Sequence, residues 1–304
     1  MPSNRAARGD FVQTDKQIIL DELKKIGFSN EWEIQFIREK FGIYVFRVTK
    51  EKESYVGKYF NDDQLHGRNE IKHYDMLKSI GVPTLEVIAH TDCFIILEDI
   101  LTSNLYRLGI EDDMSNTKVA GLIGRWFKQL HSNGRKYNSL MNLNFLENLE
   151  YELKHEKILI AIEKSSTSKN PFWDMLINNI EHLKDTYLRL CDTITFNDFW
   201  WDNLAVAKDC SAAIMFDYNC VFRKYAYADI RHVLSVLSKE AGVAFLEEYG
   251  NINENEKAFD ELFWPVTGLI GAFNMDVFPT WGDNFLDMLT NGELIQRIQI
   301  LNLG

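Results

Sequence analysis

The apolar residues of this chain change their spacing near residue 100, and that change limits the folds open to it. Before it, the runs EIQFIRE, IYVFRVT and SYVGKYF are short, rich in aromatic and β-branched residues, and separated by KFG and KEKE turns, which predicts three antiparallel strands. TLEVIAH and CFIILEDI predict a further strand pair. Two helices punctuate this part. Residues 14–27 place Ile18, Ile19, Leu23 and Ile26 at helical spacing and stop at Gly27. Residues 67–80 place Ile71, Tyr74, Leu77 and Ile80 on one face and stop at Gly81 and Pro83. Beyond Leu101, the stretches NTKVAGLIGRWFKQLHS, NLNFLENLEYELKHEKILIAIEK and PFWDMLINNIEHLKDTYLRL carry apolar residues at three- and four-residue steps and predict helices. The expectation is an α+β chain of two unequal lobes, a small antiparallel sheet lobe with one principal helix over residues 1–100 and a larger helical lobe over residues 101–304.

Hydrophobic residues at 46% and charged residues at 26% suit a folded chain long enough to bury a sizeable core. The net charge of -12 disfavours a nucleic-acid partner, which needs a clustered Lys/Arg face, and suits cationic or neutral small molecules better. Cys93, Cys191, Cys210 and Cys220 are scattered without metal-ligand spacing, as in a reduced intracellular protein. The start MPSNRAARGDF has no apolar signal-peptide core, and no apolar run approaches the ~20 residues of a membrane span. A cytoplasmic monomer or homodimer without membrane contact is expected.

One segment interrupts the helical pattern: TFNDFWWDNLAVAKDCSAAIMFDYN, a polar and aromatic loop followed by two strand-like runs, LAVAK and AAIMFD. Asp198 and Asn203 are the ends of a D-x-x-x-x-N pattern, and Asp217 follows after the hairpin. Phosphoryl transfer asks for three things: a carboxylate at the acceptor hydroxyl, oxygen ligands for Mg2+ and a cation on the nucleotide phosphates. Asp198 can supply the first, Asn203 and Asp217 the second. So short a pattern also arises by chance, so the third element matters. Lys58 in YVGKYF stands in the third strand among apolar neighbours, as the V-A-I-K lysine of kinases does, and Glu70 early in the next helix is placed to hold it. A lone strand lysine is usually a solvent-facing charge. The Lys58 and Glu70 pair is a stronger signal than either residue.

FNDFWWDN followed by MFDY resembles the aminoglycoside phosphotransferase and choline kinase superfamily, whose usual pattern is H-G-D-x-x-x-x-N and then I-D-W. The resemblance covers roughly residues 30–240 and implies the two-lobe protein kinase-like fold. By position it implies Asp198 as catalytic base, Asn203 and Asp217 as Mg2+ ligands and Lys58, fixed by Glu70, on the phosphates. It also implies Glu98, Asp99 and Ile100 as the hinge whose backbone reads the nucleotide base. GLIGRWFKQLHS and AYADIRHVL resemble family segments that make His131 and Asp229 supports of the catalytic loop. Phe196 and Asn197 depart from the family's His and Gly, which bears on that loop's hydrogen bonds. Gly42, with Lys40 and Phe41, stands where protein kinases carry a loop with three glycines, and is expected to cover the nucleotide phosphates through backbone N–H groups.

The expected activity is transfer of the γ-phosphoryl of ATP or GTP, with Mg2+, to an alcohol of a small acceptor. An aminoglycoside, and with it antibiotic resistance, is one candidate acceptor; choline, homoserine and a thioribose are others. Trp264, Phe273, Phe278, Trp281, Asp276, Asp283 and Asp287, with Trp200 and Trp201, are aromatic and acidic residues able to surround a cationic acceptor, although aromatics of a helical lobe are mostly core. The alternative is a catalytically inactive, kinase-like nucleotide-binding regulator, which would have no chemical need for both base and metal ligands. A protein kinase is disfavoured by the single glycine and by the absence of an A-P-E signal after Asp217.

Overall fold

The computed structural model describes residues 13–29, 31–40, 42–61, 65–137 and 153–302. Phe41 and the part of the expected helix that precedes Leu153 lie outside them. The first lobe comprises α1 (Gln13–Lys25), β1 (Glu33–Lys40), β2 (Ile43–Lys50), β3 (Glu53–Phe60), α2 (Leu65–Ser79), β4 (Val87–His90) and β5 (Phe94–Glu98). The strands form one sheet in the order β1-β2-β3-β5-β4, with every neighbouring pair antiparallel.

Both faces of this sheet are covered, which is why β5 reads as an unbroken apolar run. Phe94 and Ile96 join Phe46 and Val48 under Ile19 and Leu23 of α1, while Ile95 and Leu97 face α2 and the helical lobe with Phe60, Ile71 and Leu77. Successive strand residues point to opposite faces, so Gly57 and Lys58 must divide between them. At Gly57 the Phe46 ring lies so close that a Cβ would meet it at 2.4 Å. Lys58 is thereby turned to the α2 side.

The second lobe holds β6 (Tyr106–Leu108), α3 (Thr117–Gly134), α4 (His155–Lys164), α5 (Phe172–Leu190), β7 (Thr193–Thr195), β8 (Leu204–Ala207), β9 (Ala213–Met215), β10 (Phe222–Lys224), α6 (Tyr227–Val236), α7 (Lys239–Tyr249), α8 (Glu254–Phe273), α9 (Asp283–Thr290) and α10 (Glu293–Asn302). Asn116 caps α3 by accepting from the amides of Lys118 and Val119. Two short sheets, β10-β7 and β6-β8-β9, sit among the helices. One apolar core runs from the sheet lobe through α3 and α7, and another joins α5, α8, α9 and α10. Among the described residues no helix is long and apolar enough to cross a membrane.

Helix α3 meets α7 at very close range. A Cβ on Gly124 would stand 2.4 Å from the carbonyl oxygen of Phe245, a backbone atom that cannot swing aside as a side chain can. Gly124→Ala gains up to ~1 kcal/mol of helix propensity. Forcing the helices apart costs about 1–3 kcal/mol, so the variant is expected to be less stable on balance. A lower midpoint in urea unfolding checks this, and a raised midpoint would show that α7 shifts without cost.

Candidate functional site

Strand β7 ends where the loop of residues 196–203 begins, and buried groups pin that start. The amides of Phe196 and Asn197 donate to Asp229 Oδ2 and Oδ1, both at 2.8 Å. His131 Nε2 lies 3.0 Å from Asp229 Oδ2, its Nδ1 lies 2.9 Å from the Tyr249 hydroxyl, and its carbonyl accepts from Thr193 Oγ1 at 2.7 Å. These residues join α3, α6, α7 and β7 behind the loop, and none of them needs a histidine at position 196. The Phe196 ring fills that space, with centroids 5.8 Å from Trp126, 6.4 Å from Phe127 and 5.8 Å from Tyr218. Asn197 has φ +63°, the left-handed region that a glycine enters freely and an asparagine better than most residues. Its Nδ2 donates to Thr195 Oγ1 at 2.8 Å and to the Cys220 carbonyl at 3.1 Å.

The loop then presents Asp198 and Asn203. Asn203 Nδ2 donates to the Asp198 carbonyl at 3.0 Å and to its Oδ2 at 2.9 Å, which leaves the amide's Oδ1 as an acceptor for something else. Burial first, and the Asp217 carboxylate second, push the Asp198 carboxyl above the usual aspartate range.

Asp217 follows β9 with φ +69° and ψ +64°, and this left-handed residue turns the chain into a buried aromatic anchor. The Tyr218 ring packs edge-on against Tyr74 of α2 at 4.7 Å, and His73 Nδ1 is 2.6 Å from the Tyr218 carbonyl. Helix α2 is therefore docked on the 217–220 turn, and the docking brings three sequence-predicted residues together. Lys58 Nζ donates at 2.7 Å to Glu70 Oε1 and at 2.7 Å to Asp217 Oδ1. Arg38 Nη2 lies 3.5 Å from Asp217 Oδ2. Burial works against the Lys58 ammonium, but the two carboxylates outweigh it and raise its pKa. Burial likewise opposes ionisation of Asp217, and Lys58, helped by Arg38 and Lys40, more than offsets it. Glu70 is fully enclosed, and burial pushes its carboxyl up to about 7 against the pull of Lys58.

A cavity of about 520 Å3 opens over this group, lined by Arg38, Lys58, Asp198, Trp200, Asn203 and Asp217 among others. Lys58, Asp198, Asn203 and Asp217, from two lobes, thus share one cavity with Lys40 and Trp200, which the sequence also singled out, and Glu70 stands directly behind Lys58. Gly42 and residues 98–100 are not among those that line it. The Gly42 amide donates to Glu39 Oε1 at 2.7 Å within the β1–β2 turn, and its carbonyl accepts from the Asn61 amide at 3.2 Å, which ties that turn to the end of β3. Glu98 Oε1 accepts from the Glu86 amide at 3.1 Å. Asp99 is buried, with Arg47 Nε and Ser54 Oγ each 2.6 Å from its Oδ2, and its carbonyl accepts from the amides of Thr102 and Ser103. The Ile100 side chain is part of the core.

Of the C-terminal aromatics, Phe273 and Phe278 pack on each other at 4.5 Å in the second core, and Trp281 borders Phe285 at 6.2 Å. The Trp200 and Trp201 rings pack on each other, tilted by 33°, with centroids 4.2 Å apart. Sequence reasoning missed Arg38, which strand alternation alone leaves as one exposed charge among several on β1. It also missed a second cavity lined by Asn197, Lys224, Arg231, His232 and Trp264. The place of Arg231 and His232 on the same helix as Asp229 was the available signal.

No family model and no curated protein matches the sequence. Solved structures do match its fold. A Plasmodium vivax ethanolamine kinase superposes with a TM-score of 0.56 at 15% identity, covering 88% of this chain and 85% of that one. The choline kinase LicA of Streptococcus pneumoniae gives 0.58 at 13% identity, covering 91% and 98%. A spectinomycin phosphotransferase, solved with ADP and spectinomycin, gives 0.52 at 13% identity, covering 93% and 97%. The two-lobe α+β architecture of this chain is therefore the one that ethanolamine and choline kinases share with aminoglycoside phosphotransferases.

Proposed function

We propose that the protein transfers the γ-phosphoryl group of a nucleoside triphosphate, with ATP as the expected donor, to a hydroxyl of a small acceptor. The observation that carries this reading is the buried Lys58 held at 2.7 Å by both Glu70 and Asp217, in a cavity that also exposes Asp198 and Asn203. A buried cation fixed by two carboxylates is an expensive arrangement for stability alone. It suits a site where phosphate oxygens replace one of the carboxylates. Several of the matched structures are small-molecule kinases, one solved with ADP and another with AMP, which supports a nucleotide in this cavity.

In this reading Lys58 holds the phosphates while Glu70 keeps its head in place, and Arg38 adds a second cation at the mouth. Asn203 Oδ1 and the Asp217 carboxylate form an oxygen-only donor pair, which suits Mg2+ because that ion takes one or two protein oxygens and completes its shell with phosphate and water. Among the described residues no group of three His, Cys, Asp or Glu side chains is placed to hold a metal unaided. Bound Mg2+ would neutralise charge developing on the transferred phosphoryl group. Asp198 orients the acceptor hydroxyl and takes its proton. We place the lobe boundary near Ile100 and the base-reading hinge in the backbone of Glu98–Ile100.

Mg2+-dependent release of ADP from ATP, stimulated by a hydroxylated acceptor from a panel of amino alcohols and sugars, tests this function. Tight ATP binding without stimulation by any acceptor would instead support a binding protein. The pH profile is a sharper check. Asp198 must be ionised to accept a proton, and its pKa is raised, so kcat/KM is expected to fall on acidification at a pH above the ordinary aspartate range near 4. A profile flat down to pH 4 would contradict Asp198 as the base.

A further inference from the structure

The second cavity, of about 540 Å3, borders the same loop as the first: Asn197 lines it, while the adjoining Asp198 lines the other. His232 lines the second cavity with Asn197 and stands close enough to Asp198 to feel its charge. The side chains that line this second space are Asn197, Lys224, Arg231, His232, Ser235 and Trp264, and among the described residues no Asp or Glu lines it. That charge is opposite in sign to the chain's net -12.

Arg231 is built in rather than loosely solvated. Its Nε donates to Asp260 Oδ2 at 2.7 Å, and Asp260, itself buried, also accepts from the Tyr225 hydroxyl at 2.7 Å. The guanidinium carbon stands 4.0 Å from the centroid of the Trp264 ring. One edge of the fork is thus clamped and one face is stacked, leaving Nη1 and Nη2 without a hydrogen-bond partner among the described residues. A planar fork held in this way presents its two terminal nitrogens in a geometry that matches a carboxylate or phosphate. The same stacking bears on a cationic acceptor. The indole face that would have to hold an ammonium group is already covered by Arg231, and the neighbouring Lys224 would repel it. Of the C-terminal aromatic and acidic residues that suggested a cationic acceptor from sequence, Trp264 alone lines this second cavity.

We propose that this cavity binds an anionic group, a carboxylate or a phosphate, of the molecule whose hydroxyl is phosphorylated. The acceptor class is then a hydroxylated organic acid or phosphate ester, reaching Asp198 with its hydroxyl and Arg231 and Lys224 with its anionic end; the Ser235 hydroxyl already donates to the His232 carbonyl at 2.7 Å. This rests on the kinase reading above and goes further only in naming the acceptor class. Asn197 and His232 add neutral hydrogen-bonding groups at the point where the ligand passes the loop.

The test is a matched panel assayed with ATP and Mg2+: a neutral hexose, the corresponding hexosamine, hexonate and hexose phosphate, with choline as a further cation. Charge-assisted hydrogen bonds to an anion are expected to give the anionic members a kcat/KM about 10- to 100-fold above the neutral hexose. Comparison of hexonate with hexose phosphate identifies which anion is preferred. Lys224→Gln is expected to raise KM for the anionic substrate by a similar factor while kcat stays within about twofold, because the contact is made equally in ground and transition state. Arg231→Lys, which keeps a cation beside Asp260 but removes the fork, is expected to do the same. Preference for neutral or cationic members, or an unchanged KM for the anion in both variants, overturns the proposal while leaving the kinase reading intact. Absence of phosphorylation across the whole panel overturns both.

Discussion

Asp198→Asn is expected to lower turnover by about 10²- to 10⁴-fold, the range lost when a positioned general base is removed. The substitution keeps the size of the side chain, and its carboxamide oxygen can still accept from Asn203 Nδ2, which now donates to Asp198 Oδ2 at 2.9 Å. Nucleotide affinity should therefore hold, since the phosphate cation Lys58 and its clamp Glu70 are untouched. Stability should hold or rise. Burial and Asp217 both disfavour the ionised Asp198 carboxylate in the folded state. A carboxyl whose pKa is raised on folding binds its proton more tightly in the native state, so its contribution to stability is present at low pH and is lost as pH rises through the folded pKa. At neutral pH the native aspartate is thus a burden that asparagine relieves. Single-turnover kinetics, nucleotide titration and thermal unfolding measured together check the three parts. Turnover within threefold of the native enzyme would remove Asp198 from the chemistry, and a large drop in melting temperature would mark it as structural.

Much of this site was legible in the sequence because its parts are local. The D-x-x-x-x-N loop is a single turn of chain, β3 shows its alternation in YVGKYF, and a strand lysine followed by a helix glutamate needs only the two elements to pack side by side. The sheet lobe was legible for the same reason, even though β5 divides its residues between two cores and so shows no alternation of its own. What escaped was set by packing between distant segments. Phe196, where the resembled pattern has a histidine, sits in a space walled by Trp126, Phe127 and Tyr218, three rings from two other parts of the chain. Gly42 invites comparison with a phosphate-covering loop, yet Glu39 and Asn61 occupy its amide and carbonyl. Trp264 reads as one more aromatic of a helical lobe, and only the fold brings Arg231 over its face.

Asp229→Ala is expected to have the largest effect on stability, and the contrast with Asp198 shows how two nearby aspartates differ in kind. Asp198 stands in an unfavourable setting at a cavity, whereas Asp229 is buried and accepts from the amides of Phe196 and Asn197 at 2.8 Å each, with His131 Nε2 at 3.0 Å. Truncation leaves one buried and one half-buried backbone donor and a buried imidazole nitrogen without their acceptor, and each unsatisfied buried group costs about 1–3 kcal/mol. Partial relaxation and entry of water reduce the sum, so a loss of roughly 3–5 kcal/mol is expected, a large share of a typical domain's total. Asp229→Asn separates the hydrogen-bond argument from simple loss of volume. Its single oxygen can serve one of the two amides, while its NH2 faces the other, so it should fall between the native protein and the alanine variant. Denaturant unfolding gives the order directly. Activity should fall in parallel, because the same two amides fix where the loop leaves β7 and so where Asp198 stands. If Asp229→Ala lost less than about 1 kcal/mol, the loop would have to be held by Asn197 and the Phe196 ring alone, and the role assigned to the buried network would be wrong.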